Sequence, residues 1–284
     1  MPDVRVNRGL HLAAALATLA CFIQAQVVLS DSVVRRSHAW QIQLHFFNRI
    51  VTQARPVSVQ ALDWRLALVT LPTAAHHLLM ATQSQERWKA YLRARCSPLR
   101  WMEYSITSTA MTVRLAVLAG VNDIAVLVAL ATLSVAMITL GGLDEWLAAF
   151  VRPVQKPDTR CRRLQALTRS AAAIDPISIP RVVKHLPFGL ATGLFGVQWA
   201  IMLATFTEAV ASSNTPPPTW LTVLFVGLAI VDSGFPIVAW LNRRCNSYAR
   251  VDAAYSVLSL TAKFFFMQTI LFGFQNYDAD RRAG

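Results

Sequence analysis

Residues 255–267 read Tyr255-Ser256-Val257-Leu258-Ser259-Leu260-Thr261-Ala262-Lys263-Phe264-Phe265-Phe266-Met267, a run in which one lysine sits among aromatic, aliphatic and hydroxyl side chains. It lies in an apolar segment over about 250–273, long enough as a helix to cross a hydrocarbon layer of about 30 Å. Such a helix must turn its amine away from lipid, so it needs neighbours. Six further segments of similar character occur, at about 9–30, 62–83, 97–120, 122–142, 186–211 and 218–241. The third and fourth are divided only by the turn around Gly120, Asn122 and Asp123, without which the count falls to six. The expected fold is an all-α membrane protein, a bundle of seven transmembrane helices forming one domain over residues 1–284.

Composition agrees, because 55% of residues are hydrophobic, only 15% are charged, and the apolar ones fall in long runs. The net charge of +12 does not imply nucleic acid: the arginines cluster in short connections, and no basic patch with base-reading aromatics occurs. Cys21, Cys96, Cys161 and Cys245 lack metal-ligand spacing, so no metal is expected, and thiols facing the cytosol stay reduced. Arg5 and Arg8 precede the first apolar run, but no small-residue cleavage site follows it, so that run reads as a permanent helix.

Basic connections orient the bundle. Arg87, Lys89, Arg93 and Arg95, then Arg243, Arg244 and Arg250, and the long connection 143–185 with Arg152, Lys156, Arg160, Arg162, Arg163, Arg169, Arg181 and Lys184 all belong on the cytoplasmic side. The connections at Asn122–Asp123 and Ser212–Pro218 carry neither Lys nor Arg and face outward. This alternation puts the N-terminus in the cytoplasm and the C-terminus outside. The outer connection 31–61 is long, and Trp40-Gln41-Ile42-Gln43-Leu44-His45-Phe46 and Val57-Ser58-Val59-Gln60 alternate with period two around Arg55-Pro56. That pattern reads as a small extracellular β-hairpin, with an irregular loop as the alternative. Arg35, Arg36, Arg49 and Arg55 count against the orientation, although structured translocated loops weaken the charge rule.

Lysines occur only at 89, 156, 184 and 263, and the first three lie in connections or at helix ends. An unpaired ammonium at residue 263 would cost several kcal/mol, so it must be paired, neutral or chemically converted. Condensation with an aldehyde to a Schiff base converts it, and a purely structural pairing with a carboxylate is equally open. Glu103, in Arg100-Trp101-Met102-Glu103-Tyr104-Ser105, is an available acid on another helix. Asp232 lies four residues before Pro236, and Arg114 lies eleven residues beyond Glu103, nearly on the same helical face. Glu208, at a similar outward depth, pairs with Arg114 in a structural reading. In a functional one, Arg114, Glu208 and Asp232 belong to a proton path that ends at Glu103.

Two stretches make the reading specific. Arg100-Trp101-Met102-Glu103-Tyr104-Ser105-Ile106-Thr107 resembles the third-helix motif of the heliorhodopsins, and Tyr255 through Lys263 resembles their seventh-helix retinal motif. The resemblance covers nearly the whole chain, mainly as architecture outside the two motifs, and it does not extend to the sequence of the connection 143–185. It implies a rhodopsin-like bundle of inverted topology carrying all-trans retinal on Lys263 as a Schiff base, with Glu103 as counterion and Ser259 adding a hydrogen bond. Ser259, four residues before Lys263, shares its helical face.

The resemblance also implies a proton-accepting polar cluster on the inner side, to which His76 corresponds. His77 points about 100° away around the helix and is the lesser candidate. A satisfied core histidine is the plainer alternative for His76. The family's first-helix histidine corresponds to Cys21, a departure that puts the cluster in question. Arg100, one turn before Glu103, either steadies its charge within this inner polar site or faces headgroups. Met111, Met137, Phe195, Trp199 and Phe235 are candidate walls for the polyene, though equally ordinary core.

The expected activity is that of a photoreceptor: isomerisation to 13-cis, loss of the Schiff-base proton, a slow return, and signalling to a cytoplasmic partner through the 143–185 connection. A homodimer in the lipid bilayer is expected. Light-driven or light-gated proton transport is the second possibility. No nucleophile–base pair, metal cluster or phosphate loop marks an enzyme.

Overall fold

The computed structural model describes residues 2–32, 62–121, 123–151, 181–212, 217–244 and 247–283. They form nine helical segments: α1 (Pro2–Ser32), α2 (Leu62–Thr82), α3 (Gln85–Ala94), α4 (Pro98–Leu118), α5 (Ile124–Val151), α6 (Arg181–Ser212), α7 (Thr219–Asp232), α8 (Gly234–Arg244) and α9 (Tyr248–Ala283). The β-hairpin expected at 31–61 and most of the 143–185 connection lie outside the described residues.

The long helices close a ring. α1 packs on α2, α2 on α4, α4 on α5 and α5 on α6; α9 returns against α7, α8 and α1, and α6 meets α8. The ring is inside-out relative to a soluble protein. Leu16, Met102, Val128, Ile230 and Ile237 are exposed on its outside, whereas Arg100, Glu103, Asp252 and Lys263 are buried within. Exposed aliphatics on every side of a bundle with a charged interior suit a hydrocarbon solvent.

Five stretches are long and apolar enough on their own to cross a membrane: Val6–Ala25, Ile124–Ala149, His185–Ser212, Thr219–Arg244 and Tyr248–Gly273. α2 and α4 pack within the same ring but fall outside this set. The reason is their inward faces: His76 and His77 on α2, and Arg100, Glu103 and Arg114 on α4, dilute the hydropathy.

Local chemistry explains where elements begin and end. Ser97 caps α4 by accepting from the Arg100 backbone N–H, with Pro98 in the first turn, where its missing N–H costs nothing. Gly120, at φ 97°, takes the left-handed turn between α4 and α5 that a side chain would resist. α7 and α8 form one membrane-length stretch broken at Ser233. Pro236 cannot donate to the Asp232 carbonyl, and the Ser233 hydroxyl bonds the Ala229 carbonyl at 2.6 Å.

Several boundaries differ from those expected. The segment placed at 122–142 runs on to Val151, because Asp144 and Glu145 find cationic partners and stay helical and buried. The basic connection after residue 83 is itself helical: Ser84 accepts from the Arg87 N–H to start α3, which ends at Arg95 in a left-handed conformation, φ 52°. It faces the bundle with Trp88, which is fully buried.

Candidate functional site

α9 carries Lys263 to the middle of the ring and α4 brings Glu103 opposite. Both side chains are buried, at 4% and 5% exposure, and the Lys263 ammonium is ion-paired with Glu103 Oε1. Hydroxyls from two helices converge on the same oxygen: Thr73 of α2 donates at 2.5 Å and Thr107 of α4 at 3.0 Å. Glu103 Oε2 is buried with no hydrogen-bond partner among the described residues.

A cavity opens beside the pair, between α4, α5, α6, the α7–α8 break and α9. Met111, Met137, Phe195, Trp199 and Phe235 all line it, together with Ser259, Lys263 and Asp232. Phe195 and Trp199, one turn apart on α6, have ring centroids 6.5 Å apart, and Tyr104 lies with its ring 5.3 Å from the Lys263 amine. The result is an apolar, aromatic slot with an amine and a carboxylate at one side.

Beyond Glu103, toward α3, stands a polar network whose members come from five helices. Arg100 is 2% exposed, so it does not face headgroups. Its guanidinium bonds Asp252 at 2.8 Å and the Tyr248 hydroxyl at 3.1 Å, pairs with Glu145, and stacks 4.4 Å above the Tyr255 ring. Its hydrogen bonds thus go to Glu145 and Asp252 rather than to Glu103. Asp252 also accepts from the Tyr91 hydroxyl, and its other oxygen lies 3.4 Å from His11 Nε2.

His11, His76 and His77 are buried at 1%, 7% and 2% exposure. His11 Nδ1 is 2.7 Å from His77 Nδ1, and His76 Nδ1 is buried without a hydrogen-bond partner among the described residues. The first-helix side chain beside His76 is that of His11, with ring centroids 6.2 Å apart. Cys21 lies further along α1, where the Gln268 amide approaches its sulfur at 3.8 Å. His77 belongs to the cluster as fully as His76, because the His11 ring reaches between the two directions in which they project.

Arg114 and Glu208 part company. Arg114 is buried in α4 while Glu208 is exposed on α6, and no ion pair joins them among the described residues. Of the expected row from Arg114 through Asp232 to Glu103, Asp232 lines the cavity beside Lys263, while neither Arg114 nor Glu208 is among its lining residues.

His11, Glu145 and Asp252 were missed from sequence. His11 and Asp252 each stand alone in an apolar run, the same signal that singles out Lys263. Glu145 was hidden because it lies just past the expected end of its helix.

The ring of helices is a fold shared with solved microbial rhodopsins. Solved structures with this fold include a light-driven proton pump from Leptosphaeria maculans (13% identity, 95% of this chain and 96% of that one, TM-score 0.62). They also include the light-driven proton pump rhodopsin of Coccomyxa subellipsoidea (16%, 95% and 94%, TM-score 0.56) and the transmembrane domain of the Salpingoeca rosetta rhodopsin phosphodiesterase (15%, 95% and 93%, TM-score 0.54). At these identities the likeness is one of fold. No curated protein matches the sequence significantly. The heliorhodopsin family profile matches residues 10–158, more than half of the chain, and the protein belongs to the heliorhodopsin family. It is an integral membrane protein.

Proposed function

We propose that this protein is a light sensor in which all-trans retinal is held on Lys263 as a Schiff base, with Glu103 as its counterion. Family membership supports a retinal-binding, light-responsive protein. The single observation that carries the residue assignment is the buried Lys263–Glu103 pair beside an aromatic slot. A desolvated amine at the side of an apolar slot is suited to condensing with an aldehyde, and the slot suits a polyene.

The donor set fits the group. Glu103 would hold a negative charge against the linked nitrogen, steadied by Thr73 and Thr107, and its unpartnered Oε2 leaves an acceptor free on that side. Ser259, one turn before Lys263 and lining the same cavity, would offer a hydroxyl. Phe195, Trp199 and Phe235, with Met111 and Met137, would keep water from the chain of the ligand. When bound, retinal supplies visible absorption and a light-driven change from all-trans to 13-cis. His76, with its unpartnered Nδ1, would accept a proton, and His11, His77, Asp252 and Arg100 extend the polar network behind it.

A slow return to the dark state would leave time for signalling, with a cytoplasmic partner at the basic 143–185 connection. Seven spans, an N-terminus in the cytoplasm, an outer hairpin at 31–61 and a homodimer complete this reading. Adding all-trans retinal to the purified protein tests it: a visible band is expected, and Lys263→Ala should abolish it. A band that survives Lys263→Ala, or no band in the unaltered protein, overturns the assignment.

One observation favours a second activity, proton movement. The Asp232 carboxyl lines the same cavity as Lys263. Light-evoked currents in voltage-clamped cells, diminished by Asp232→Asn, are the expected sign, and silence at every voltage removes this activity while leaving the sensor.

A further inference from the structure

The slot beside Lys263 is apolar along most of its wall, and one side chain away from the lysine breaks the pattern. Gln198 of α6 lines the cavity and is 4% exposed. Its amide nitrogen donates to the Thr112 hydroxyl of α4 at 3.1 Å, while its carbonyl Oε1 is buried with no hydrogen-bond partner among the described residues. We propose that Gln198 and Thr112 form a polar subsite for the ring end of the ligand, so that the protein takes a ring-hydroxylated retinal in preference to retinal itself. The inference rests on the retinal reading above and adds the chemistry of the ligand's far end.

The position of the amide supports this. Thr112 lies nine residues beyond Glu103 on α4, a rise of about 13.5 Å, which puts its partner amide out of reach of a linkage at Lys263. A ligand joined to Lys263 leaves α9 between α4 and the α7–α8 break, and its far end meets α5 and α6. Trp199 and Met202, one and four residues after Gln198, line the same cavity and supply apolar surface for a ring.

The chemistry narrows the group on that ring. The ring of retinal is hydrocarbon and offers no hydrogen bond, and a buried amide oxygen left without one is costly. A ring hydroxyl donates to Oε1. It also accepts, so it fits the amide turned end for end as well, because the Thr112 hydroxyl can serve either end. A ring ketone suits only the turned amide. A ring carboxylate is disfavoured, since Lys263 is the only basic residue lining the cavity and lies at the linkage.

Gln198 thereby acts on the choice of ligand. A site built to bond a hydroxyl discriminates against the analogue lacking it, whose binding leaves the site's own buried group unpaired. One neutral hydrogen bond corresponds to a preference of about three- to tenfold.

The test uses full-length protein purified without pigment and given equal amounts of all-trans retinal and all-trans-3-hydroxyretinal, with the 4-hydroxy isomer in a parallel run. At equilibrium, hydroxylamine releases the bound aldehydes as oximes, and chromatography gives their ratio. One of the hydroxylated forms is expected in about three- to tenfold excess over retinal, and Gln198→Leu, which keeps the bulk and removes the amide, should abolish the excess. The ratio is internal to each sample, so a lower yield of folded variant does not alter it. In unaltered protein carrying isotope-labelled glutamine, a side-chain carbonyl stretch should fall in frequency when the hydroxylated ligand replaces retinal. That reading decides by itself if Gln198→Leu forms no pigment. Equal incorporation of the aldehydes, an excess kept in Gln198→Leu, or an unmoved carbonyl band overturns the hydroxyl subsite alone. No pigment with any of these aldehydes overturns the retinal reading and the subsite with it.

Discussion

Trp101 donates its indole N–H to Glu145 Oε2 at 2.6 Å, and this bond ties α4 to α5 one residue away from the arginine that shares the same acid. The ring lies so close to α5 that only glycine fits beneath it: a Cβ at Gly141 would stand 2.8 Å from Trp101 Cζ3, and one at Gly142 would stand 3.1 Å from Cγ. Because the indole is anchored, it cannot swing aside freely. Gly141→Ala should therefore destabilise the protein by about 1–3 kcal/mol, the usual cost of overpacking. Gly189→Ala is the control, since its Cβ would meet nothing within 4 Å and gains helix propensity. Thermal melting should show a lower midpoint for the first and an equal or higher one for the second.

Arg100 is a stronger structural determinant than its neighbours. Its guanidinium, 2% exposed, is ion-paired with both Glu145 and Asp252. Arg100→Met leaves both carboxylates buried without their cation, for which a loss of about 3–5 kcal/mol is the usual scale. The triple variant Arg100→Met with Glu145→Gln and Asp252→Asn should recover much of that stability, because no uncompensated charge remains. Chemical or thermal denaturation in one detergent compares the two. A triple variant no more stable than the single one would mean that the hydrogen-bond geometry, not the charge, holds this end of the bundle.

The ring itself was legible in sequence because hydrophobic runs of membrane length are dictated by the solvent and need no partner to be seen. Lys263 and Glu103 were legible for the complementary reason: a charge in such a run is expensive enough to demand an explanation. The same rule applied to Leu10-His11-Leu12 and Val251-Asp252-Ala253 marks the inner cluster, but neither group announces its partner, since His11 lies 65 positions before His76 and contacts between distant helices leave no spacing to read. The end of α5 was misplaced because Asp144 and Glu145 look like the start of a loop until Arg243 and Arg100 are brought beside them. The exposure of Glu208 on α6 was illegible for a related reason. Helical phase aligns Arg114 with Glu103 on α4, but it cannot tell which way Glu208 faces on another helix.

Cys96 lies in the short link between α3 and α4, outside the membrane-spanning stretches. Burial, reinforced by the nearby Glu145 charge, pushes its thiol up to about 11. At pH 8 it should then hold about a hundredfold less thiolate than an ordinary cysteine, and the thiolate is the reacting species. In a variant with Cys21, Cys161 and Cys245 replaced by Ser, labelling with iodoacetamide should be slow at pH 8 and rise about tenfold per pH unit up to about pH 11. A rate that levels off near pH 9 would show that Cys96 meets water freely.

Three donors converge on one oxygen of Glu103: the Lys263 amine and the hydroxyls of Thr73 and Thr107. If Glu103 is the counterion of a retinal pigment, its charge holds the ground-state positive charge near the nitrogen, and the colour should report every change at that oxygen. Glu103→Gln keeps the shape and removes the charge, so absorption should move to longer wavelength, or the linkage should lose its proton and the band fall toward the ultraviolet. Thr73→Val keeps the charge but removes one donor, which concentrates the negative charge on the carboxylate and strengthens its hold. The band should then move the opposite way, to shorter wavelength, and by less. Spectra of the two variants at neutral pH are read side by side. A Glu103→Gln spectrum that matches the unaltered protein would leave the carboxylate a structural partner of Lys263 and require another acid, with Asp232 in the same cavity, to balance the pigment.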